Sequence, residues 1–144
     1  MTNPTGAVDH SDSLFVHLAS RAECEAAKGA IECIEVFTAR FNDRDRDGMD
    51  ANLHFPHVIL SGEKLIVWDK PGQHGDSFFK DLLATGWHRT TYRKKQVILA
   101  TSKKVHLLIE YSRDDVSGTP VSIHQDLWIV TFDAGRWGIK QRSH

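Results

Sequence analysis

Residues 26–60 read AAKGAIECIEVFTARFNDRDRDGMDANLHFPHVIL, and this stretch decides the fold. Ala27, Ala30, Ile31, Ile34, Phe37 and Phe41 recur at three- and four-residue steps, the spacing of one buried helical face. Asn42 and the charged turn Asp43-Arg44-Asp45-Arg46 end that helix, and a second of about two turns follows. Pro56 excludes helix just before it, so His54-Phe55-Pro56-His57 leads into a strand. A helix with one apolar face needs a cover, and the strands after residue 57 supply it.

Working outward, Ser20 is a good N-cap and Glu23 completes a capping box, which starts the helix at 21 and runs it to 42. Glu25 suits the positive end of the helix dipole. Residues 1–20 are expected to form a flexible arm, with Leu14-Phe15-Val16 tacking it to the body. The arm shows no basic region followed by an apolar core, so no secretory signal is read there. On the other side, Val58-Ile59-Leu60, the turn Ser61-Gly62 and Lys64 to Trp68 make a hairpin. A third helix over 78–84 follows Asp76-Ser77 and closes at Gly86. Strands are expected near 88–100, 103–113, 120–132 and 136–143, separated by clear turn signals. This is one α+β domain over 21–144, with a curved, mostly antiparallel sheet wrapped around the first helix.

Composition narrows the classes. The chain has 144 residues, 40% hydrophobic and 26% charged, ordinary for a globular domain with its own core. A net charge of −1 argues against nucleic acid as a partner, and no apolar run is long enough for a membrane span. Cys24 and Cys33 lie roughly 13 Å apart along one helix, too far for a disulfide, which suits a reduced, cytoplasmic protein.

Three stretches carry a family resemblance: Phe41-Asn42-Asp43-Arg44-Asp45, Leu53-His54-Phe55-Pro56-His57-Val58, and Val130 to Asp133 continuing through Gly135-Arg136-Trp137. With the order of elements, they resemble the nuclear transport factor two-like superfamily over residues 21–143, nearest its SnoaL-like and ketosteroid isomerase-like branches. The resemblance implies a cystatin-like cone with an apolar cavity at its wide end and a homodimer through the outer sheet face. It does not carry ketosteroid isomerisation. That chemistry uses an Asp base with a tyrosine and a protonated Asp as oxyanion hole. Phe37 stands at the tyrosine, the base position falls near Ser61, and only Asp126 (or Trp128, two residues on) falls at the second Asp.

A different site is expected. His124, Asp126, Trp128 and Val130 share one strand face, which the resemblance turns inward. Asp126, His124 and His57 are the candidate catalytic residues, an acid–base set against an apolar wall. Phe37, Trp68, Tyr111, Trp128 and Arg142 are the candidate ligand-binding residues. No cofactor is implied and no metal site is assigned. Asp43-x-Asp45-x-Asp47-Gly48 matches half of a calcium loop, but the twelfth position is His54 rather than a bidentate Glu. His54-x-x-His57 would hold zinc only with a third ligand from another element, such as His124 or Asp126, and the spacing by itself is a weak signal. The expected function is binding of a small apolar ligand, extending to cofactor-independent isomerase, cyclase or hydrolase-like chemistry. The alternatives are a non-catalytic binding or dimerisation module, or an adaptor for a protein partner.

Overall fold

A computed structural model describes residues 20–144; the expected arm and its Leu14-Phe15-Val16 contact lie outside the described residues. Helix α1 spans Arg21–Asn42 and opens on Ser20, whose extended backbone lets its hydroxyl accept from the Glu23 N–H at 3.1 Å. Helix α2, Arg46–Asp50, is capped by Asp45, whose Oδ1 accepts from the Gly48 N–H at 2.9 Å. The aspartate-rich turn therefore has a local use as a cap. Helix α3, Phe78–Ala84, has Ser77 at its N-cap position without a side-chain cap bond.

The strands are β1 Leu53–Ser61, β2 Lys64–Trp68, β3 Arg89–Ala100, β4 Lys104–Asp114, β5 Pro120–Asp133 and β6 Arg136–Ser143. They form one open sheet in the order β2-β1-β6-β5-β4-β3, antiparallel except where β1 runs parallel to β6. Strand β1 begins earlier than the sequence suggests and passes through Pro56. The ladder to β6 tolerates this because its register shifts between Leu53 and Val58, skipping the residue that has no N–H. Further shifts in the β3–β4 and β5–β6 ladders add residues on one strand, which bends the sheet into a half-cone.

Helix α1 lies in that curve. Ala26, Ala27, Ala30, Ile34 and Phe37 are buried against Val97, Val105, Leu107, Ile109, Val130 and Ile139. Gly29 sets the depth of this contact: a Cβ there would lie 2.3 Å from Trp137 Nε1, so only glycine lets the helix seat on β6. The fold class is thus α+β, a mixed curved sheet around the long first helix. No helix among the described residues is long and apolar enough to cross a membrane.

Candidate functional site

Near its N-terminus, α1 meets the sheet through alanines; near its C-terminus it carries Phe37 and Phe41, and the packing opens into a cavity of about 210 Å³. Its walls are largely aromatic, with Phe37, Trp68, Phe78, Tyr92, Tyr111 and Trp128 among the lining side chains. Three groups of different chemistry converge on it: Asp126 from β5, Arg142 from β6 and His74 from the β2–α3 loop.

Asp126 points inward because strand parity places it on the same face as Trp128 and Val130, all three buried. Its Oδ2 accepts from Trp128 Nε1 at 2.9 Å, and its Oδ1 has no partner among the described residues. Trp128 is held in turn by edge-to-face contacts with Phe37 and Tyr92, at 5.7 and 6.4 Å between ring centres.

Arg142 sits opposite Trp128 in the β5–β6 ladder. Its Nε donates to His57 Nε2 at 3.0 Å, and its guanidinium lies 5.3 Å from the Phe37 ring centre and 5.7 Å from that of Trp68. Burial lowers its pKa to about 10, against the opposing pull of Asp126, so it remains a cation at neutral pH.

His57 is wholly buried and does not line the cavity. A carbonyl can only accept and an arginine can only donate, so the partners fix the tautomer. Nδ1–H donates to the Ile139 carbonyl at 2.9 Å, and Nε2 accepts from Arg142. Burial first, then the Arg142 charge, pushes the His57 pKa down to about 3. The imidazole is a neutral bracket for Arg142, with both nitrogens committed. His124 also stands off the cavity: it stacks on Tyr111 at 5.1 Å and its Nε2 shares a 2.8 Å hydrogen bond with Ser122 Oγ. Of the expected catalytic trio, the fold brings only Asp126 to the cavity wall. Phe37, Trp68, Tyr111, Trp128 and Arg142 all line it.

His74 and Asp50 carry no sequence signal. Asp50, at the end of α2, accepts from the Gly72 N–H through Oδ2 at 2.9 Å and presents Oδ1 to His74 Nδ1 at 3.5 Å. The ring is wedged between Trp68 and Phe78, at 4.5 and 5.0 Å between centres. Burial, then the Arg142 charge, hold the His74 pKa below its usual value against the pull of Asp50. The imidazole is therefore neutral at pH 7, and the facing carboxylate favours the proton on Nδ1. These two residues are 24 positions apart in a helix end and an irregular loop, where no periodicity could pair them. Tyr92 is committed elsewhere: its hydroxyl donates to the Ile34 carbonyl at 2.9 Å and accepts from Thr38 at 2.7 Å.

A metal does not suit the paired histidines of β1. His54 reaches the Arg136 carbonyl at 3.1 Å and His57 the Ile139 carbonyl, and no cluster of three metal-ligating side chains occurs among the described residues.

No protein-family model and no curated protein sequence matches the chain. Solved structures do. A Nostoc punctiforme protein of unknown function with a cystatin-like fold is similar at TM-score 0.63 and 12% identity, over 81% of this chain and 86% of that one. An NTF2-like protein with a cystatin-like fold from Novosphingobium aromaticivorans is similar at TM-score 0.62 and 14% identity, over 99% and 89%. A ketosteroid isomerase-like protein from Erwinia carotovora atroseptica is similar at TM-score 0.58 and 15% identity, over 83% and 94%. At such identities the likeness is one of fold. The chain has the cystatin-like α+β cone fold of the NTF2-like proteins.

Proposed function

We propose that this protein binds a small, single-ring molecule in the cone cavity and moves a proton on it without a cofactor. The observation that carries this reading is the convergence of a carboxylate, a carboxylate-backed neutral imidazole and a guanidinium on one small aromatic cavity. Size limits the substrate. About 210 Å³ falls below the roughly 300–1,000 Å³ of pockets that hold drug-sized ligands, which argues against a steroid. In this reading Asp126 or His74 takes a proton from a carbon beside a carbonyl. The electron pair moves onto the carbonyl oxygen, Arg142 stabilises the resulting charge, and the proton returns to the same or another carbon.

The reaction class can be tested without knowing the natural substrate. Enolisable single-ring ketones such as cyclohexanone and acetophenone, incubated in D2O, should exchange deuterium faster with the protein than in buffer. Asp126→Asn and His74→Asn are the diagnostic variants, and at least one should lose roughly 10²- to 10⁴-fold of that rate. Exchange that survives both substitutions removes the two residues from the chemistry. No exchange at all supports a non-catalytic binding module of the same fold, a reading favoured by the Asp126–Trp128 bond, which already gives the carboxylate a structural use.

We also propose a homodimer through the outer sheet face. Leu65, Val67, Leu99, Val121 and Ile123 are exposed on the strands, and a second copy would remove them from water. A monomeric mass by light scattering at micromolar concentration counts against it. Free Cys24 and Cys33 support a reducing, cytoplasmic setting.

A further inference from the structure

A buried cation is costly unless an anion or a full set of acceptors meets it. Arg142 has neither. Its Nε is satisfied by His57, which is neutral, and none of the ion pairs among the described residues includes it. Neither terminal nitrogen has a hydrogen-bond partner among those residues. Phe37 and Trp68 lie close to the guanidinium but offer no acceptor. What remains is the edge carrying Nη1 and Nη2, the fork that matches two coplanar oxygens.

The cavity has room for such a group and little more. An apolar cavity of roughly 150 Å³ accommodates benzene. The 210 Å³ here therefore suits one six-membered ring with a substituent of about three heavy atoms. Arg113 adds a second guanidinium to the lining, and its Nε is buried without a partner among the described residues. Arg142 and Arg113 stand against Asp126 on the wall and Asp50 behind His74, so an anion meets no excess of negative charge among these four side chains.

We infer that the cavity takes a single-ring aromatic or unsaturated carboxylate, its two oxygens on the terminal nitrogens of Arg142 and its ring among Phe37, Trp68, Phe78 and Trp128. This rests on the small-molecule pocket of the proposed function and adds the ligand's charge and size. Binding would complete the Arg142 shell with two charge-assisted hydrogen bonds, which a neutral ligand of equal shape cannot supply.

Benzoate and benzamide are the probes, having nearly the same shape and differing in charge. Titrated calorimetrically into the full chain at pH 7 and fixed ionic strength, benzoate should bind at least about ten-fold more tightly. Arg142→Gln should abolish that preference. Arg142→Lys, which keeps the charge but loses the fork, should keep only part of it and serves if the glutamine variant does not fold. Equal or tighter binding of benzamide overturns the carboxylate assignment and leaves the pocket reading standing. A benzoate preference unchanged in the lysine variant overturns the fork geometry. If neither probe nor toluene binds at millimolar concentration, the assignment falls together with the pocket reading.

Discussion

Strand β5 passes through two environments, and the contrast between them explains the molecule. At Val130 its inward side chain belongs to the buried core under α1, between Val105 and Ile139 on the neighbouring strands. Two residues earlier Trp128 borders the cavity, and at Asp126 the same face carries a carboxylate. The pleat does not change along this run; what changes is the side chains that the helix presents to it. Small residues hold α1 close at one end, while Phe37 and Phe41 prop the packing open at the other. The closed end maximises burial, and the open end keeps polar groups that a stability-driven core would exclude.

Stability measurements can break this contrast. Ile139→Ala, at a fully buried site of the closed end opposite Val130, should cost about 2–5 kcal/mol in urea unfolding. A loss below about 1 kcal/mol would mean that the closed end is not the tight core described.

The open end should respond to pH instead. The folded pKa of His57, about 3, lies below its ordinary value of 6.5, so the folded state favours the neutral ring. That contribution is fully present above the unfolded pKa and is lost as pH falls from about 6.5 towards 3. His74, shifted in the same direction, adds to it. Unfolding free energy should therefore drop by about 2–3 kcal/mol between pH 7 and pH 4.5. His57→Gln should flatten this slope, and an unchanged slope would place the pH dependence elsewhere.

The smallest expected effect sharpens the boundary between the two ends. In an exposed helix, Gly→Ala stabilises by about 1 kcal/mol. At Gly29 the sign should reverse, with about 1–3 kcal/mol lost, because the new Cβ collides with Trp137. If Gly29→Ala melts higher than the parent chain, the seat of α1 on β6 is looser than the geometry requires.

The sequence by itself determined the local elements. Apolar spacing and the Ser20 cap set α1 at Arg21–Asn42, and turn residues bounded the four long strands to within a residue or so. It also set which residues of β5 share a face, because alternation is a local property of an extended chain, whereas the inward turn of that face was implied by the family resemblance. Only the tertiary structure decided which inward residues meet the cavity. His57 and His124 have the right chemistry, but one is locked between Ile139 and Arg142 and the other stacks on Tyr111 outside the cavity. Likewise His74 becomes part of the site only because α2 and the β2–α3 loop fold against each other and bring Asp50 to it. Hydrophobic period and turn chemistry act within a few residues, whereas burial, charge pairing and tautomer depend on neighbours that the chain brings together from far apart.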